Sequence, residues 1–464
     1  MIYGHAKVSD IQIAYIGGGS RGWAWGLMAD LAMDEQISGT LRLYDIDSAA
    51  ARRNCQLGER LQQQPGVRSA WQYKVSDTLA EALTGADFVI ISILPGTFAE
   101  MHSDVHTPEK YGVWQSVGDT VGPGGFVRAL RTIPMFVEFA EGIRQYCPEA
   151  WIINYTNPMS VCVRTLYKVF PRIKAFGCCH EVFGTQKLLV SMLEDQEHLT
   201  ARRQDIKVNV VGINHFTWFT EAAYQGQDLI PLYASFADQY YETGFTKGAD
   251  HNWMNNHFAC SHRVKFDLFR RYRAIAAAGD RHLAEFCSGR LYLDNPEQVC
   301  QWGFSLTPVA WREQDLKERL ERQRRLLDGR EQMDLGGTGE EGHLQMKAIL
   351  GLSEMVTNIN LPNQGQIPNL PLGAVVETNA VLRGRAVRPV FSGNVPDAIL
   401  PLVYRQVCNQ ENTVTAALTL DRKLAESTFA NDPLLDRLNQ TERSTLLADM
   451  LQQTKAYLPA GWAL

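Results

Sequence analysis

The run Ile11-Gln12-Ile13-Ala14-Tyr15-Ile16 leads directly into Gly17-Gly18-Gly19-Ser20-Arg21-Gly22, and a helical pattern follows over Trp23–Leu31. An apolar run, a loop spaced Gly-x-Gly-x-x-Gly and a helix in immediate succession leave few folds open. Glycines let the backbone turn tightly and approach a pyrophosphate, whose charge rests on the positive end of the following helix. A second apolar run, Leu41–Tyr44, ends on Asp45. An acid roughly 20 residues past such a loop binds ribose hydroxyls and disfavours a 2′-phosphate. Asp47 competes for this role but lies further past the strand end. Gly17, Gly19, Ser20, Gly22 and Asp45 therefore read as a site for NAD.

Further runs at Phe88–Ile93, Trp151–Asn154 and Ala175–Gly177 are apolar throughout, as strands covered on both faces are. They alternate with helical patterns, which predicts an α/β fold. The expected architecture is a doubly wound Rossmann sheet of the lactate and malate dehydrogenase kind. Phe126–Tyr146 has helical spacing, with Pro134 expected to kink or break it. Past residue 205 the texture changes to a strand-like Val208–Gly212 and a Trp- and Tyr-rich stretch. Two helices, Asp315–Gly329 and Gly342–Met355, come before an irregular Leu361–Pro371. The expected division is an NAD-binding domain over 1–205 and an α+β substrate and metal domain over 206–464 that closes on it.

A net charge of −6 without a Lys/Arg stripe argues against a nucleic-acid partner. No apolar run approaches the ~20 residues of a membrane span, and Met1–Asp10 lacks a signal-peptide pattern. Nine scattered cysteines fit reduced thiols in a cytoplasm better than a disulfide framework. A closed homo-oligomer, dimer or tetramer, is the default expectation.

Three blocks remain. The first is Gly118-Asp119-Thr120-Val121-Gly122-Pro123-Gly124-Gly125 with Arg128 and Arg131 after it. The second is Asn154-Tyr155-Thr156-Asn157-Pro158. The third pairs Cys179-His180-Glu181-Val182 with Gly212-Ile213-Asn214-His215. On spacing alone, a loop, a turn and an unconnected thiol and imidazole would account for them. In this order after a Rossmann start, and with Asn360–Asn363 and Val375-Val376-Glu377 downstream, the chain resembles glycoside hydrolase family 4, the NAD- and manganese-dependent glycosidases. That family is an exception to two-carboxylate glycoside hydrolysis.

The resemblance implies a mechanism. NAD removes hydride from C3 of the sugar, the ketone acidifies the C2 proton, and a base removes it. The aglycone leaves C1 by elimination, water adds, and the hydride returns. It also implies that Cys179 and His215 hold manganese as a Lewis acid and that His180 assists the leaving group. Asn157 would contact a substrate hydroxyl, and Asp119 with Arg131 would form the loop over the nicotinamide. Some members use a tyrosine base; here His282 stands at the matching place, with Asp280 and Tyr272 as competitors.

The tetrapeptide Cys179-His180-Glu181-Val182 looks like the form found in α-galacturonidases. The expected substrate is an α-galacturonide from pectin fragments, with α-galactosides and glucuronides as rivals. Its carboxylate needs a cationic or amide partner, and an ionised Glu181 would orient that partner rather than be it. A lactate- or malate-type dehydrogenase is the alternative of another class. Such enzymes set the catalytic histidine in Gly-x-His-Gly beside Asp-x-x-Arg, which this chain does not do at His215 or His180.

Overall fold

The apolar runs become the centre of one large sheet. A computed structural model describes residues 1–246, 257–336 and 341–462. Its first seven strands are β1 (Ile2–Gly4), β2 (Lys7–Ile16), β3 (Ile37–Tyr44), β4 (Trp71–Val75), β5 (Phe88–Ile91), β6 (Trp151–Asn154) and β7 (Lys174–Gly177). Six of them lie parallel in the order β7-β6-β5-β2-β3-β4, and β1 pairs antiparallel with β2. This is the Rossmann order, and it reverses between β2 and β5, where a crevice opens at the carboxyl ends of the strands. Central β5 is buried along its whole length. Edge strand β4 instead alternates, with Trp71 and Tyr73 inward and Gln72 and Lys74 outward.

A second sheet contains β8 (Ile206–Ile213), β9 (Phe216–Tyr224), β10 (Gln227–Asp228) and β11 (Ile275–Ala276), with β8 and β9 forming a tight hairpin. The chain then returns to the first sheet. There β12 (Met355–Pro362), β13 (Val375–Arg383) and β14 (Ala386–Pro389) extend it antiparallel beyond β7.

One helix, Gly122–Tyr146, runs through Pro134 without a break. Proline there costs about 3 kcal/mol. The helix buries Leu130, Ile133, Phe136, Phe139 and Ile143, each stabilising by about 1.5–3 kcal/mol, so packing wins. The two helices read beyond residue 300 are displaced at their ends. The first starts at Val309, after Pro308, and ends before the left-handed Gly329. The second stops at Ile349, because Gly351 turns the chain and Met355 already opens β12. Among the described residues no helix is long and apolar enough to cross a membrane.

Candidate active site

The glycine loop follows β2 at the reversal point. Gly17 has φ +93°, and a Cβ there would lie 2.0 Å from the Ser92 carbonyl oxygen at the end of β5. A Cβ on Gly19 would lie 2.7 Å from that of Ala50. Backbone packing itself thus demands glycine. Asp45 directly follows β3 and accepts from the Gly19 N–H at 2.9 Å and the Asp47 N–H at 2.9 Å. Asp47 caps the helix Ser48–Leu61 through the Ala50 N–H and lies 3.8 Å from Arg21, so it has structural work elsewhere. Buried Asn54, which the motif does not reveal, donates to the carbonyls of Gly18 and Ser20 at 2.8 Å each. It accepts in turn from Trp25 and Gln323.

Across the crevice, the β8–β9 hairpin turns on Asn214 and His215, and His215 is left-handed with φ +63°. Histidine tolerates this region better than branched residues do, and strain of this kind gathers at functional sites. The hydroxyl of Thr120 donates to Asp119 at 2.7 Å, so the 2.9 Å contact with His215 Nδ1 is one the imidazole donates. His215 Nε2 is thereby left with its lone pair for a metal. Strand β11 pairs with β9 and feeds the short helix Asp280–Glu285, which brings His282 onto His215 with ring centroids 3.8 Å apart. Glu181 reaches His282 Nε2 at 3.6 Å and accepts from the Gly279 N–H at 2.6 Å. Donor atoms of Asp119, His215 and His282 all lie within 4.8 Å of one another, a separation one ion could span.

Cys179 is buried just past β7 among Met159, Val163 and Val375. Asn214 and Glu377 stand beside its thiol, and Asn358 bridges its carbonyl to Glu377 at 3.1 and 2.6 Å. The thiol therefore adjoins the residue preceding His215.

Burial lowers both imidazoles, and their mutual proximity pushes His282 down to about 3 although Glu181 opposes this. Burial would raise Glu181, but His282, His215, His180 and the Gly279 N–H outweigh it and hold the carboxyl at about 2. Asp119 also stays well below its ordinary value: Arg128 and the two imidazoles overcome its burial. Burial raises the Cys179 thiol far up, with Glu377 and Glu181 adding to it, so binding a cation there would release a proton. Glu285 is the other exception. It accepts from the N–H groups of Val117 at 2.7 Å and Gly118 at 2.9 Å, yet burial pushes it up to about 8.

His180 is exposed at the start of the helix Glu181–Glu197, its ring 6.0 Å from that of Trp23 on the dinucleotide helix. Asn157 follows β6, donates to Asp119 at 3.3 Å and keeps a buried Oδ1 without a partner. Arg131 is fully buried, engaged by both oxygens of Asp104 and by the Pro95 carbonyl at 3.0 Å. Asp280 accepts from the Val264 and Lys265 N–H groups and lies 3.6 Å from the Lys265 ammonium. Tyr272 packs edge-on against Trp218 and lines a separate cavity of about 430 Å³. Of the three possible bases, His282 is the one stacked on His215. Glu285 went unnoticed as a site residue, although it stands three positions after His282.

A Rossmann crevice facing a histidine–carboxylate cluster defines a dinucleotide-dependent class with room for a metal. Residues 12–195 match the family 4 glycosyl hydrolase model, and residues 210–435 match the C-terminal domain of the same family. The chain belongs to glycosyl hydrolase family 4 and is a glycosidase. It is 60% identical over 465 residues to the alpha-galacturonidase of Thermoanaerobacterium saccharolyticum, covering 100% of both chains. It matches the crystal structure of lplD from Bacillus subtilis with a TM-score of 0.91 at 51% identity, covering 96% of this chain and 100% of the other. A 6-phospho-alpha-glucosidase from gut microorganisms, solved with NAD and Mn2+, shares the fold with a TM-score of 0.80 at 21% identity, over 98% and 99% of the two chains.

Proposed function

We propose that the chain hydrolyses α-galacturonides with NAD and a divalent metal, manganese, as cofactors. Full-length identity of 60% to an alpha-galacturonidase carries this reading. The residues present fit both groups. The glycine loop packs against Ser92, Leu43 and Ala50 too closely for side chains at Gly17, Gly18 and Gly19, which leaves its backbone open to a pyrophosphate. A His215 ring nitrogen lies within 4.8 Å of an Asp119 oxygen, while its neighbour Asn214 stands beside the Cys179 thiol. Around them, Asn157 Oδ1, His282 Nδ1 and Glu285 Oε2 are buried without partners, as groups awaiting a polar ligand are. When bound, NAD would supply a hydride acceptor and donor, and a divalent metal would supply Lewis acidity beside it.

The chain's own groups supply the proton traffic. His282 Nδ1, buried without a partner, can take the C2 proton. Glu181, 3.6 Å from Nε2, then stabilises the imidazolium that forms. Cys179 and His215 would hold the metal, with Thr120 fixing the His215 tautomer. Exposed His180 donates to the departing oxygen at the cleft edge beside Trp23. Asn157 orients a sugar hydroxyl. Asp45 selects the unphosphorylated ribose.

The test is hydrolysis of nitrophenyl α-galacturonide, α-galactoside and α-glucuronide with NAD, manganese and a thiol reductant. The galacturonide is expected to exceed the galactoside at least about tenfold in kcat/KM, the worth of one charge-assisted hydrogen bond. In deuterated water, deuterium enters C2 of the product without net NADH. NADH accumulating in proportion to product would instead indicate a dehydrogenase.

A further inference from the structure

Positive charge exceeds negative charge on one side of the cluster. Arg128 and Arg312 both act electrostatically on Asp119 or feel its charge, and Arg281 does the same with Arg312, His215 and His282. Arg128 is committed, through Nε, to the Asn157 carbonyl at 3.1 Å. Arg281 is positioned by Thr307, which accepts from Nη1 at 2.5 Å, and by the Phe258 ring 4.7 Å beneath its guanidinium. Its own carbonyl takes the Ser116 hydroxyl, which fixes the helix it stands on.

Arg312 comes from another element, the helix Val309–Leu327, whose first N–H is held by His106. Trp311 packs edge-on against Phe258 at 5.0 Å, so one aromatic ring ties the two arginine-bearing helices together. Arg312 is only partly exposed and makes no hydrogen bond or ion pair to any described residue.

The nearby acids are taken. Asp119 is shared with Arg128, Asp315 pairs with Arg319 at 2.7 Å, and Glu285 keeps its proton near neutrality. Two guanidinium groups brought to the same aromatic ring by Trp311 and Arg281, and close enough to feel each other's charge, repel unless an anion joins them. A planar carboxylate matches the guanidinium fork with two parallel hydrogen bonds. The dinucleotide pyrophosphate is the other anion in the crevice, but its cradle is the loop ending at Gly22. Arg319, not Arg312, reaches that loop, donating to the Arg21 carbonyl at 3.2 Å. Seven residues separate the two arginines, about 10 Å along a helix.

We propose that Arg312 and Arg281 form the seat of the substrate's C5 carboxylate and so determine the preference for uronides over neutral sugars. This rests on the galacturonidase reading above. The experiment compares the holoenzyme with Arg312→Gln, Arg312→Lys and Arg281→Gln. It measures kcat/KM on nitrophenyl α-galacturonide and α-galactoside, calorimetric binding of galacturonate and galactose, and NAD affinity by fluorescence. The galacturonide-to-galactoside ratio is expected to fall about thirtyfold in Arg312→Gln, mostly through KM, with partial rescue by lysine. The galacturonate-to-galactose binding ratio should fall with it, which decides the matter if a variant is inactive on both glycosides. A selective wild type whose variants keep both ratios within about threefold would overturn the clamp alone, as would NAD affinity falling in step with turnover. A wild type indifferent to the carboxylate would overturn clamp and galacturonidase reading together.

Discussion

Replacing Glu285 by glutamine should stabilise the protein, and do so only above the acid range. In the fold its carboxyl is pushed from 4.5 up to about 8 by burial, while two backbone N–H groups pull the other way. A carboxyl raised on folding contributes stability below its unfolded value, and that contribution is lost as pH climbs toward the folded value. The loss runs from pH 4.5 to about 8 at about 1.4 kcal/mol per pH unit, reaching about 3 kcal/mol at pH 7. Glutamine mimics the protonated acid: its carbonyl can accept from Val117 and Gly118, and its amide replaces the O–H. It carries no ionisation to suppress. At about 2.1 cal/mol/K per residue, 464 residues give an unfolding entropy near 1 kcal/mol/K, so the gain should appear as about 3 °C at pH 7. Thermal scans of wild type and Glu285→Gln at fixed NAD, in half-unit steps from pH 4.5 to 8.5, read the difference directly. Groups common to both proteins, such as Glu377 and Asp432, cancel. Parallel curves, or a lower melting temperature for the variant at pH 8, would refute the claim that this carboxyl is held protonated.

Cys179→Ser or His215→Ala should abolish manganese-dependent turnover while NAD titrations stay close to wild type, because the dinucleotide loop is built from other elements; either variant turning over normally would remove that pair from the metal site. Asp45→Ala should narrow the preference for NAD over NADP, read as the ratio of the two dissociation constants, and also loosen the loop by freeing the Gly19 N–H. Arg131→Met should destabilise by about 3–5 kcal/mol in denaturant titrations, since it strands the buried Asp104 carboxylate without its partner. A smaller loss in Asp104→Asn is expected, and a change below 1 kcal/mol in Arg131→Met would mean that the pair matters little to the fold.

Where one short stretch determines its own geometry, the sequence was readable. The loop Gly17–Gly22, the fully buried strands and the acid at Asp45 depend on neighbours close in the chain or on a uniform apolar run. The strand β4 escaped because an edge strand alternates, and its pattern in Trp71–Val75 is only five residues long. The return of β12–β14 to the first sheet escaped because nothing local records which edge a hairpin will join. The same holds within the site. His282 could be named, beside Asp280 and Tyr272, by its match to a family position, but the contacts of Glu285 depend on a loop about 170 residues away in sequence folding over it. Arg312 looks like one more charge on a highly charged helix until its neighbour Trp311 is found on the same Phe258 ring as Arg281.

The antiparallel addition of β12 to β7 also sets a timetable for the newborn chain. The six parallel strands are all synthesised once Gly177 has emerged, yet the residue registered against Gly177 is Asn360. At about 5–20 residues per second, β7 waits roughly 10–40 s for the strand that covers it. An open strand edge invites pairing with other chains, and four residues beginning with a lysine make a short, poorly adhesive template. During that wait Cys179 has neither Asn358 nor Glu377 beside it, so the pocket around its thiol is sealed only when the last third of the chain arrives.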